Sequence, residues 1–159
     1  MERFERFVKN MSKTFEWVGV VGYLIMVLVN VIDVVGSKFF NFPLPGAFEV
    51  TSFAQVIAIA LTIPIGLYLG FHISIDFILE KFPDTPKRLI NIFVSIILVI
   101  FFGLILYQTL EYGYSLQISD EIGSVSKIPL FPFAYVIAIG IVPVILFYII
   151  KTMTSIKGR

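Results

Sequence analysis

The chain has no cysteine, a single histidine and few charges. Lack of cysteine excludes disulfides, thiolate metal sites and cysteine nucleophiles. Charged residues make up only 14% of the 159 positions, against about a quarter in an ordinary soluble domain. Nucleophile motifs, phosphate-binding glycine loops and zinc signatures are also missing, so a membrane enzyme is disfavoured and no cofactor is expected. What the chain has is apolar residues, 58% of it, gathered in four long runs. Almost every charge lies between those runs or at the ends.

An apolar helix needs about 20 residues to cross a hydrocarbon core of about 30 Å. Four segments reach that length, near residues 17–35, 50–69, 89–110 and 128–150. The expected fold class is therefore an all-α membrane protein of four transmembrane helices, forming one integral membrane domain over residues 1–159. The mixed-charge start lacks a small-residue cleavage site and does not read as a signal peptide.

Lys and Arg collect on the cytoplasmic side of short loops. Arg3, Arg6, Lys9 and Lys13 precede span one, Lys81, Lys87 and Arg88 precede span three, and Lys151, Lys157 and Arg159 follow span four. The two remaining loops hold only Lys38 and Lys127. A split of ten against two predicts that both termini are cytoplasmic. The opposite face carries Asp33, Glu49, Glu111, Asp120 and Glu121 and is net acidic.

Two further helices are expected. Phe4, Phe7, Val8, Met11 and Phe15 recur at helical spacing, which predicts an N-terminal amphipathic helix lying in the interface, with Trp17 at headgroup level. Phe71, Ile75, Ile78, Leu79 and Phe82 share a face between spans two and three. They predict a short cytoplasmic amphipathic helix, ended by Pro83 and Pro86. Pro64 and Pro143 lie deeper, in spans two and four, where each removes a backbone hydrogen bond. Ala54 with Ala58, and Ala134 with Ala138, have the spacing that lets membrane helices approach closely.

Ionisable groups inside a span are functional suspects. Asp33 is the acidic residue within a hydrophobic run, about three residues from its end, with Asn30 one turn earlier. One reading is a proton or cation site, in a small self-sufficient transporter working as a homo-oligomer. The other is a carboxylate that reaches the headgroups or caps a contact with another helix. Its shallow depth favours the second. His72, Asp76 and Glu80 recur every fourth residue, but the outer pair would stand about 11–12 Å apart on a helix, too far to share one metal ion. An ion pair or a polar docking face is the better reading.

The connections are distinctive. One reads Phe40-Asn41-Phe42-Pro43-Leu44-Pro45-Gly46 and is followed by Glu49. Another opens Gly70-Phe71-His72-Ile73-Ser74-Ile75-Asp76. A third reads Lys127-Ile128-Pro129-Leu130-Phe131-Pro132. With these motifs in order, the chain resembles the small membrane subunit of tripartite ATP-independent periplasmic (TRAP) transporters, the DctQ-like family, over its full length. It departs from the family pattern at Ser37-Lys38, Phe48-Glu49 and Ser74.

The resemblance implies a non-catalytic subunit in the cytoplasmic membrane of a bacterium or archaeon. A large membrane subunit would carry the substrate and sodium sites and move by an elevator-type motion. A periplasmic substrate-binding protein would deliver a small organic acid. The expected partners are those two proteins and membrane lipid, not nucleic acid. Contact with the large subunit or the membrane is expected at His72, Asp76, Pro43, Pro45, Gly46, Glu49, Pro129 and Pro132. Docking of the binding protein is expected at Lys38, Glu111, Asp120, Glu121 and Lys127.

Overall fold

The computed structural model of the chain describes residues 2–70 and 84–157. Four helices account for nearly all of them: α1 (Glu2–Phe40), α2 (Ala47–Tyr68), α3 (Asp84–Ile118) and α4 (Phe131–Lys157). Each is long and apolar enough to cross a membrane. Among the described residues, strand-like pairing is confined to one isolated bridge between Ile122 and Pro129.

Besides the later ends of α1 (Phe40, against residue 35) and α3 (Ile118, against residue 110), three features differ from the sequence expectation. First, the N-terminal segment is helical but is not a separate interfacial helix. It runs unbroken into the first span, giving a helix about 58 Å long at 1.5 Å per residue, well beyond the hydrocarbon thickness. No proline interrupts residues 2–40, and the first turns are packed, with Val8 and Ser12 fully buried while Phe4 and Phe7 face outward. Second, Pro86 does not end a surface helix; it stands in the first turn of α3, where its missing N–H costs no intrahelical bond. The rest of the expected cytoplasmic helix lies outside the described residues. Third, α4 begins at Phe131 rather than at Ile128. The preceding residues pair backwards instead: the Gly123 N–H donates to the Ile128 carbonyl at 2.8 Å, and the Leu130 N–H to the Glu121 carbonyl at 3.0 Å.

The helices stand in an open row, α1–α2–α4–α3, rather than a closed bundle. α2 and α4 run parallel in the middle, α1 antiparallel to α2, and α3 antiparallel to α4. Close approach depends on small residues, because in lipid the apolar side chains gain little by leaving the hydrocarbon. Gly22 of α1 faces Ala54 and Ala58 of α2, and a Cβ on it would lie 3.1 Å from the Ala54 carbonyl oxygen. Asn30 adds a polar tie, its amide donating to Thr51 Oγ1 at 3.2 Å. Between α2 and α4 the fit is tighter still. A Cβ on Gly140 would stand 2.3 Å from the Ala60 carbonyl oxygen. Phe53 and Phe133 stack across the same contact at 4.3 Å. Pro64 and Pro143 are fully buried, and both helices continue through them.

At the end of the row that holds the chain termini, Leu67, Val144 and Tyr148 form a core against Leu98, Val99 and Phe102 of α3. Arg88 fastens α3 there by donating to the Ser155 and Ile156 carbonyls in the last turn of α4. A cation suits this helix end, where carbonyls lack intrahelical donors. Towards the opposite end α3 stands off from α2. A groove of about 630 Å³ opens there, lined by Phe53 and Val56 of α2, Leu104 and Thr109 of α3, and Phe133 and Ile137 of α4.

Candidate functional site

At the end away from the termini two connections meet: residues 41–46 between α1 and α2, and residues 119–130 between α3 and α4. We refer to it as the loop end. Each connection leaves its helix through a residue in the left-handed region, Asn41 (φ 50°) after α1 and Asp120 (φ 48°) after α3. Short polar side chains tolerate that conformation. After Asp120 the Glu121 N–H reaches the Leu116 carbonyl at 3.2 Å, as in a Schellman cap.

In the first connection Pro43 and Pro45 have no N–H, so Leu44 holds the backbone donor between them. Asp33 accepts it, Leu44 N to Oδ1, at 2.8 Å. The Leu44 carbonyl in turn accepts from the Ala47 N–H at 3.1 Å, and Gly46, at φ 78°, leads into α2. Asp33 is thus engaged in pinning the loop back onto α1.

The second connection is anchored by Glu49, in the first turn of α2. Its Oε1 accepts the Val125 N–H at 3.0 Å. Its Oε2 accepts the Ser126 N–H at 2.8 Å and the Ser126 hydroxyl at 2.6 Å. Charged acceptors make the stronger hydrogen bonds, and here one carboxylate holds three donors of a single turn. Gly123 is buried beneath the contact. A Cβ there would stand 2.5 Å from both Glu49 Oε2 and Ser126 Oγ, so the carboxylate fits only over a glycine. Lys127 follows at φ 58°, its N–H donating to the Gly123 carbonyl at 3.1 Å.

Gly46 and Glu49 therefore come together with the α3–α4 connection, Gly46 lying beside Val125 and Ser126. Pro129 sits in the bridge with Ile122, and Pro132 in the first turn of α4. Pro43 and Pro45 flank the bond to Asp33. Asp120, Glu121 and Lys127 are exposed on the second connection, while Lys38 and Glu111 are exposed on the last turn of α1 and on α3. His72 and Asp76 lie outside the described residues. Sequence reasoning missed Gly123 and Ser126. Their only signal was a small residue and a hydroxyl in a short turn, with nothing to pair them with a carboxylate 77 positions earlier.

A family model described as "Tripartite ATP-independent periplasmic transporters, DctQ component" matches residues 26–158. No curated protein matches the chain, and no solved structure does. The matched segment contains all but the first part of α1 and the whole loop end, and this chain belongs to the DctQ family, the small membrane subunits of TRAP transporters.

Proposed function

We propose that the chain is a static scaffold piece: it packs on the large membrane subunit and offers its loop end to the periplasmic substrate-binding protein during sodium-coupled uptake of a small organic acid. The observation that carries this reading is the open row. α1 and α3 each pack mainly on one neighbour. Trp17, Val21, Leu24, Leu28 and Val31 on α1, and Phe93, Ile97, Ile100 and Leu104 on α3, are exposed at alternating spacings of three and four. Such stripes are how one helix face meets another. The end helices supply surface for the large subunit and for lipid.

In this reading both termini are cytoplasmic, since ten of twelve basic residues belong to that side. The loop end then faces the periplasm of a bacterial or archaeal inner membrane, and the whole chain acts as one membrane domain. His72 and Asp76 belong to the cytoplasmic contact with the large subunit or the membrane surface.

Reconstitution tests it. Vesicles holding this chain with its large subunit, supplied with loaded binding protein and a sodium gradient, should take up substrate. Vesicles holding this chain alone should not. Uptake by the chain alone would sink the scaffold reading.

A further inference from the structure

We propose that Glu49 is a positioning residue, a latch that holds the α3–α4 connection in the one shape on which the binding protein docks. The inference rests on the docking role given above and adds the residue that makes the docking surface.

The fold itself creates the need for such a latch. α3 packs chiefly on α4 and leaves the groove between itself and α2. Leu116 and Leu130, at the two ends of the α3–α4 connection, line that groove. The connection therefore borders an open groove on the side that faces α2, and Glu49 is the α2 side chain that reaches across to it. Glu49 crosses from α2 and fixes the turn through three bonds to two consecutive residues. Inside the turn, Lys127 holds a left-handed backbone that a long side chain adopts at a cost. On its outside the same short segment displays Asp120, Glu121 and Lys127. Among the described residues none of these three side chains makes a hydrogen bond or ion pair. Their charges are available to a partner, and their relative placement is set by the turn that Glu49 holds. Charged rims of this kind govern how fast and in what register a partner docks.

Gly123 gives the idea an internal check. A methyl there collides with Glu49 Oε2 and Ser126 Oγ at 2.5 Å, so Gly123→Ala should open the latch without touching either partner. Once the carboxylate has gone, the methyl faces only the Ser126 hydroxyl, which is then released from Glu49 and can rotate away.

The test uses the full complex in proteoliposomes, with initial uptake measured against the concentration of loaded binding protein. Glu49→Ala and Gly123→Ala should each raise the half-saturating concentration about fivefold while changing the maximal rate less than about twofold. Co-purification with the large subunit should be unchanged, because the Glu49 carboxylate serves Val125 and Ser126 of its own chain rather than the subunit contact first expected of it. The double variant should be no worse than Glu49→Ala alone, and Val125 and Ser126 amide exchange should quicken in all three. An unchanged half-saturating concentration in fully assembled Glu49→Ala complex overturns the latch, as do additive effects in the double variant. Should Glu49→Ala lower the yield of complex, Glu49→Gln, which keeps the side chain's length and one acceptor oxygen, takes its place under the same criterion. Uptake by the unsubstituted complex that needs no binding protein would instead sink the docking role itself.

Discussion

α3 and α4 are neighbours of similar composition that meet opposite fates. α3 has the most apolar span of the four, yet 6% of that span is buried, against 44% for α4. In water the order would be reversed, because apolar area leaves the solvent first. In a bilayer the lipid chains are as apolar as leucine, so a leucine-rich face gains little by packing. Burial goes instead to helices whose backbones can approach. α4 sets Gly140 against Ala60 of α2, and α2 sets Ala54 and Ala58 against Gly22 of α1, all at close approach. High hydropathy in this chain marks the faces that its own helices leave uncovered, and small residues mark the seams.

The largest effect should follow from attacking that seam. Adding one methyl at Gly140 places it 2.3 Å from the Ala60 carbonyl oxygen, a backbone atom that cannot swing aside. Gly140→Ala should cost about 1–3 kcal/mol, the usual cost of overpacking. Gly103 of α3 is the control, since a Cβ there meets nothing within 4 Å. Gly103→Ala should be neutral or stabilise by up to about 1 kcal/mol through helix propensity. Reversible unfolding in detergent would compare the two. Equal losses would break the contrast between α3 and α4, and a stabilised Gly140→Ala would overturn the seam.

The next effect concerns how α3 is held at all. Arg88 donates to the Ser155 and Ile156 carbonyls at the end of α4. Removing it should cost about 0.5–1 kcal/mol, the scale of a cation at a helix C-terminus. Lysine should restore part of the charge effect but not the two-pronged geometry. Because Arg88 is exposed, the difference between Arg88→Ala and the unsubstituted chain should shrink in high salt. A loss that is insensitive to salt would mean that Arg88 acts through packing of its stem instead.

Much of this arrangement could be read from the sequence, in a consistent way. The four spans follow from length and hydropathy alone, and Ala54 and Ala58 from their spacing. Glu49 was legible as the carboxylate that follows the Pro43-Leu44-Pro45-Gly46 connection. Neighbour order was not legible, since four nearly uniform apolar helices give no facing signal. Nor was the continuity of α1. The amphipathic spacing of Phe4, Val8 and Phe15 describes a helix but does not say where it bends, and no breaker residue separates it from the span. The site was legible only in halves. Each motif named its own loop, while the bond that Ser126 donates to Glu49 joins two loops 77 residues apart in the chain.

The smallest expected effect is at Asp33, and its smallness carries information. Both connections at the loop end are tied by a carboxylate that accepts backbone N–H groups, Asp33 for Leu44 and Glu49 for Val125 and Ser126. Asp33 serves one donor through one oxygen, a task that does not require charge. Asparagine keeps an oxygen at the same reach, so Asp33→Asn should leave uptake by the assembled complex within about twofold of the unsubstituted rate, as for most substitutions that preserve a contact. Asp33→Ala, which leaves the Leu44 N–H without its acceptor, should do more harm than Asp33→Asn. A proton- or cation-carrying Asp33 removes that ranking: asparagine would abolish uptake as fully as alanine, because neither ionises. The order of those two variants, more than the size of either, separates a carboxylate that shapes a loop from one that moves charge.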